Sequence, residues 1–102
     1  MEYRIWLDDI RPMPSFFNLS FTNAIDCINF LNSNYNSVTH ISFDHDLGDE
    51  SELTGYDVAC QLEVIKADNP KLNIKYRVHS ANPVGAHRIH LAMKLFKKFE
   101  VM

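Results

Sequence analysis

The stretch VTHISFDHDLGD, residues 38–49, decides the fold. Val38 to Phe43 is apolar and β-branched at its centre, as a buried strand requires. The pattern then turns abruptly acidic at Asp44. Two other segments share this design. Tyr3-Arg4-Ile5-Trp6-Leu7 reads as a short strand ending at Asp8-Asp9, and Ile74 to Val78 as a strand ending at His79-Ser80-Ala81-Asn82. Helices fill the intervals. Thr22 to Ser33 sets Ala24, Cys27, Ile28 and Leu31 on one face, with Thr22 or Asn23 able to cap it. Thr54 and Asp57 have capping-box spacing and open a helix striped by Val58, Ala59, Leu62 and Ile65, which Asn69-Pro70 ends. Pro83 suits the first position of a last helix, expected to bury Val84, Leu91, Ala92, Leu95, Phe96 and Phe99. Strands alternating with helices imply right-handed crossovers and a parallel sheet. Ile10-Arg11-Pro12-Met13-Pro14 cannot be helical, because each proline lacks an amide donor and restricts its predecessor. An edge strand near Phe17 to Phe21 would therefore be reached by an irregular connection. The first helical crossover joins the strand at 3–7 to the strand at 38–43.

The chain of 102 residues suits one domain, and its 46% of hydrophobic residues supports a packed core. It has no repeat, linker or low-complexity tract. The formal net charge of -3 argues against nonspecific binding of long nucleic acid, yet leaves room for a single phosphate or a nucleotide end. Cys27 and Cys60 lie within helices, without metal-type spacing, and read as small buried hydrophobes of a reducing compartment. No apolar run is long enough to span a membrane, and the start lacks a signal-peptide pattern. A cytoplasmic protein is expected.

All three strands end in ionisable or polar residues. In an open parallel sheet the carboxyl ends lie on one edge, and ligands bind in the crevice just outside it. Asp8, Asp9, Asp44, Asp46 and His79 should converge there. Carboxylates so close repel unless a cation or hydrogen bonds offset the charge. An oxygen-rich set favours magnesium, manganese or calcium, with His45 and His79 able to shift it toward manganese or a transition metal. Any single Asp has about even odds of being only a turn or helix cap, but the set together favours function. His79 titrates near neutrality and is a candidate acid or base. His45 is the weaker candidate, because alternation turns it from at least one neighbouring acid. Asn82 opens the last helix, as a cap or as part of a phosphate site. Arg11 can reach a phosphate oxygen or form a surface ion pair. Arg88 falls over the expected buried stripe, where a cation needs a partner, with the site as nearest source. His87 and His90 do not form a metal pair, since His90 points away from the buried face. His40 reads as structural, and Asp26, Asp57 and Asp68 as caps or surface charges.

These residues resemble the receiver domains of two-component signalling. The acidic pair matches Asp8 and Asp9, the acceptor matches Asp44 with Leu47 and Gly55 after it, and the Ser/Thr-Ala pair matches Ser80-Ala81. The strings beginning at Leu7, Asp44, Thr54 and Val78 look more closely like the cyclic-phosphate-processing receiver domain, over nearly the whole chain. That resemblance implies a minimal receiver-like (flavodoxin-like) α/β fold, three-layered, with a three- to four-stranded parallel sheet. It also implies a domain that processes cyclic phosphates, at RNA ends or in cyclic nucleotides. Two departures stand out. The chain is expected to stop after its last helix, with nothing matching the lysine that receivers carry on a further strand. Ala86 stands where the family tends to place a basic residue.

The leading expectation is a metal-dependent phosphoesterase. Asp8, Asp9, Asp44 and Asp46 would hold one or two divalent cations (Mg or Mn), His79 would donate a proton to the departing sugar oxygen, and Arg11, Asn82 or Arg88 would bind the phosphate. Asp44 could instead attack as a receiver's acceptor does, with Ser80 beside it. The rival is a non-catalytic module that holds a cyclic nucleotide or docks on a partner protein. Ordinary phosphorelay output ranks last. Gly48 to Glu52 is a candidate substrate-covering loop.

Overall fold

The computed structural model describes residues 1–48, 53–96 and 99–102, with backbone only at Leu95 and Phe96. The expected loop at 49–52 and the expected burial of Leu95 and Phe96 thus lie outside the described residues. The elements are β1 (Tyr3–Leu7), β2 (Leu19–Phe21), α1 (Ala24–Asn34), a 3-10 turn (Tyr35–Ser37), β3 (Val38–Phe43), α2 (Gly55–Asp68), β4 (Lys75–Val78), α3 (Pro83–His90), a π-helical continuation (Leu91–Phe96) and β5 (Glu100–Val101). All five strands pair in parallel in the order β2-β1-β3-β4-β5. This is a receiver-like α/β fold, with the strand order of the flavodoxin-like class.

The expected capping chemistry is present. Asn23 caps α1 by accepting from the Asp26 amide, and Thr54 and Asp57 form a reciprocal capping box on α2. The α2 stripe of Val58, Ala59, Leu62 and Ile65 is buried, as are Ala24, Cys27 and Leu31 of α1. These pack with Ile5, Leu7, Ile41, Phe43 and Tyr76 in one core.

Three expectations change. First, β5 adds a strand beyond the last helix, by pairing Glu100 and Val101 with Lys75 and Tyr76. Two residues are too few for a sequence signal. The β5 residues include no lysine. Second, Val84 is 71% exposed, while Ile89 and Met93 are fully buried. The buried stripe of α3 runs Gly85–Ile89, one residue out of phase with the expected one. The π-helical turn after His90 then resets the phase. Third, the expected helical layer on one side of the sheet is a loop. The only reversal in strand order is the step from β1 to β2. Right-handed crossovers place every forward connection, and so α1, α2 and α3, on one face. The backward connection alone crosses the other face, and Pro12 and Pro14 keep it from being helical. Among the described residues that face is covered by this loop alone.

Candidate functional site

Strands β1 and β3 are neighbours from which the chain departs in opposite directions, so a crevice opens above their carboxyl ends. Asp8 ends β1 and Asp44 ends β3, and both are buried. The Asp44 amide donates to the Leu7 carbonyl and the His79 amide to the Phe43 carbonyl, each at 2.9 Å, so the sheet ladder continues into the site. Asp8, Asp9 and Asp44 each offer a carboxylate oxygen within 4.8 Å of the others.

Asp8 is the most heavily partnered of the three. Its Oδ1 accepts from the amides of Ile10 and Arg11 at 2.8 and 2.9 Å. Its Oδ2 meets Arg11 Nη1 at 3.0 Å and His79 Nε2 at 2.9 Å. Burial opposes ionisation of Asp8, but the two amides, then Arg11 and His79, outweigh it and hold the carboxyl below its usual range. Asp44 goes the other way. Burial and the neighbouring Asp8 charge raise it, against the weaker pull of Ser80, His79 and Arg11. Arg11 Nη1 lies 3.7 Å from Asp44, so one guanidinium nitrogen serves both acids. Asp9 differs again: its Oδ1 is buried without a hydrogen-bond partner among the described residues.

His79 is fully engaged. Its ring stacks on the chain's single tryptophan, Trp6, with centroids 3.8 Å apart and planes 5° from parallel. Nε2 faces Asp8 and Nδ1 lies 2.7 Å from Ser42 Oγ. Burial lowers its pKa against the opposing pull of Asp8, so the ring is neutral at pH 7. The carboxylate can only accept, so Nε2–H donates to Asp8 and the Ser42 hydroxyl donates to Nδ1. The Ser–His–Asp order looks like a nucleophile relay, but Ser42 is 0% exposed and no substrate can reach it. Sequence reasoning passed over Ser42 and Trp6. The signal was the alternation of β3, which aims Ser42 away from the core that Ile41 and Phe43 enter.

The remaining candidates divide. Ser80 hydrogen-bonds Asp44 and accepts from the Asn82 amide at 3.1 Å. Asn82 caps α3 through the Gly85 amide at 3.0 Å and extends its side-chain nitrogen to Asp46. Asp46, expected beside the other acids, is instead an exposed partner of His45 Nδ1 at 2.8 Å. Alternation would keep Asp46 on the side of Asp44, but the strand ends at Phe43 and the chain bends at His45, which leaves Asp46 outward; His45 lowers its pKa against slight burial. Gly85 makes room for the His45 ring, since any Cβ there would lie 2.3 Å from it. Arg88, expected near the site, stacks over Tyr56 of α2 at 4.2 Å, as the shifted phase of α3 requires. His90, expected to point away, bonds the Tyr76 hydroxyl at 2.7 Å.

The expected motifs thus meet in one crevice at the β1/β3 boundary. A family model described as the cyclic-phosphate processing receiver domain matches residues 3–95. The chain belongs to this family. No curated protein and no solved structure matches it. In this receiver domain Asp8 and Asp44 directly follow β1 and β3. No helix among the described residues of this receiver domain is long and apolar enough to cross a membrane.

The stack on Trp6 makes the site optically readable. An imidazolium 3.8 Å from the indole accepts an electron from its excited state and quenches it. A pKa lowered by burial places that quenching below pH 6.5, the ordinary imidazole value. In chelator-treated buffer, Trp6 emission should fall with a midpoint below 6.5 and stay flat in His79→Gln. A midpoint at or above 6.5 contradicts the arrangement. The same sign holds for stability. The contribution of His79 is complete above 6.5 and declines as pH falls toward its lowered folded value.

Proposed function

We propose that this receiver domain is a metal-dependent phosphoesterase acting on a cyclic phosphate. The observation that carries the reading is Asp9: its Oδ1 is buried with no hydrogen-bond partner among the described residues, and its carboxylate offers an oxygen within 4.8 Å of those of two further acids. A buried polar atom left unpaired is costly, and a cation is the partner that also offsets the repulsion of three carboxylates. The oxygen donor set fits a hard divalent ion such as magnesium or manganese, held by Asp8, Asp9 and Asp44. Such an ion supplies Lewis acidity toward a phosphoryl oxygen.

The chain's own residues divide the remaining work. Arg11 keeps Nη1 on Asp8 and Asp44 and has the rest of its half-exposed fork free, among the described contacts, for a phosphate oxygen. Ser80 steadies Asp44, whose raised pKa is suited to accepting a proton or to attack on phosphorus. Asn82 orders the start of α3 beside them. His79 has both ring nitrogens engaged, so it acts through Asp8 as a positioning residue, not as the acid toward a leaving group.

That engaged histidine also favours a second reading: a domain that holds a cyclic nucleotide, or docks on a protein, without turning anything over. The discriminating assay incubates the chain with 2′,3′- and 3′,5′-cyclic nucleotides, with magnesium, manganese or chelator. Metal-dependent ring opening, lost in Asp9→Asn and Asp44→Asn, is expected. Saturable binding without products under every metal condition would establish the second reading instead.

A further inference from the structure

The site uses the face of the sheet opposite the helices only through Trp6 and Ser42, which hold His79. The side chains of that face come from the alternate positions of β1, β3 and β4. Strand register places Arg4, His40 and Lys75 in one row across the sheet. In the next row toward the site it places Trp6, Ser42 and Arg77. Lys75 and Arg77 are exposed, and Arg4 and His40 partly so. The β1–β2 loop lays two aromatic rings onto this surface. Phe17 is buried against Trp6, whereas Phe16 stays 48% exposed. Arg4 lies over the Phe16 ring at 5.4 Å, His40 meets its edge at 5.1 Å, and Arg77 lies over Phe17 at 5.6 Å. The charges gather closely enough for Lys75 and Arg4 both to act on His40. Two acids border the patch: Glu2, paired with Arg4 at 2.9 Å, and Glu100, opposite Lys75 in the register.

A protein of net charge -3 therefore keeps a local basic strip, interleaved with aromatics, on a sheet face without a helical layer. The strip leads to the acidic crevice. Arg77 lies two residues before His79 on the same strand direction, about 7 Å away, and Lys75 a similar step further down. That step is of the order of the separation of successive phosphates in an extended single strand. A positive track with an exposed ring is the arrangement that holds single-stranded nucleic acid.

We infer that the open face binds the last few nucleotides of a single strand whose terminal cyclic phosphate enters the acidic crevice. The strand's phosphates lie along Arg77, Lys75 and Arg4, and one base stacks on Phe16. This rests on the cyclic-phosphate reading and narrows it, from free cyclic mononucleotides to the ends of oligonucleotides. It is compatible with the expectation against nonspecific binding of long nucleic acid, because the track is only two or three phosphates long.

The test uses the full chain, a fluorescently labelled five-nucleotide RNA ending in a 2′,3′-cyclic phosphate, and a mononucleoside 2′,3′-cyclic phosphate. The oligonucleotide should bind at least about tenfold more tightly than the mononucleotide. Its log–log salt slope should be roughly -2, for about three phosphates neutralised on a single strand. The double variant K75E/R77E, altered only at exposed positions, should lose that advantage and flatten the slope. Its handling of the mononucleotide should not change. Phe16→Ala should weaken the oligonucleotide several-fold with the slope unchanged, as loss of stacking requires.

Equal affinity for the two ligands, or an advantage that survives K75E/R77E, overturns the inference while leaving the phosphoesterase reading intact. Self-association of the chain abolished by K75E/R77E, without oligonucleotide binding, would assign the face to a protein interface and also overturn it. Oligonucleotide binding that depends on these residues, with no turnover of either ligand, upholds the surface and removes the phosphoesterase.

Discussion

Gly55→Ala should lower stability by about 3–5 kcal/mol, the range of severe core or backbone conflicts. Taken alone, alanine at the first position of a helix is favourable, so a propensity argument predicts a small gain. Sterics reverse the sign. A Cβ on Gly55 would lie 2.0 Å from the Asp44 backbone carbonyl oxygen and 3.3 Å from Ile89. Backbone cannot swing aside as a side chain can. Either α2 lifts at its first turn or the strand end carrying Asp44 is displaced. Lifting α2 breaks the Gly55 amide bond to the His45 carbonyl at 3.0 Å and disturbs the capping box. Displacing the strand end separates Asp44 from Asp8. Thermal unfolding should show a drop of well over about 12 °C, since each kcal/mol shifts the midpoint of a domain this size by roughly 4–8 °C. Gly85→Ala is the comparison. There the atoms nearest the added Cβ belong to the His45 ring, a side chain that can rotate away by giving up its bond to Asp46. A smaller loss, about 1–2 kcal/mol, is expected. Equal losses for the two variants would show that the Asp44 carbonyl is not the decisive contact.

That comparison indicates what a sequence reveals and what it hides. Gly55 is legible as part of a motif, but its need to be glycine arises from Asp44, eleven positions earlier. Features fixed by local chemistry were legible: the Thr54–Asp57 box, the α2 stripe, Pro83 at a helix start, and the breaks at Asp8, Asp44 and His79. Convergence of those breaks followed from parallel topology alone. What depended on phase or on partners was not legible. Val84 and Ile89 are both apolar, and only the docking of Gly85 against His45 decides which turns inward. Arg88 follows that phase onto Tyr56. Asp46 is chemically equivalent to Asp9, and a strand-end twist separates them. The basic strip was hidden for a related reason. Arg4, His40, Lys75 and Arg77 are scattered over 74 positions, and only the register between strands assembles them.

Asp44→Asn should raise stability and remove activity together. Asp44 is 6% exposed, and its partners are Ser80, His79, the distant edge of Arg11 and a like-charged Asp8. Burial and Asp8 both raise its pKa, so at neutral pH the folded state holds a charge that it resists. Asparagine keeps the shape, removes the charge, and can donate toward Asp8. Relief of a buried like-charge contact is worth about 1 kcal/mol here, or roughly 4–8 °C in midpoint. The pH dependence has a definite sign. A carboxyl with a raised folded pKa favours the fold fully below its unfolded value and loses that favour as pH rises through the folded value. The advantage of the asparagine variant should therefore be complete at neutral pH and shrink as the pH falls toward 3.8, the carboxyl's ordinary value. Asp8 cannot produce this trend, because its pKa is lowered, so its contribution is lost as pH falls in both proteins alike. Divalent metal should reverse the order. A cation bound by Asp8, Asp9 and Asp44 stabilises the wild type by mass action, whereas the variant has lost one ligand charge and gains less. Unfolding midpoints of both proteins across pH, with chelator and with magnesium or manganese, measure the two effects separately. A variant less stable than wild type in chelator at neutral pH would mean that Arg11 and Ser80 already compensate Asp44. The case for a cation would then rest on the unpartnered oxygen of Asp9 alone.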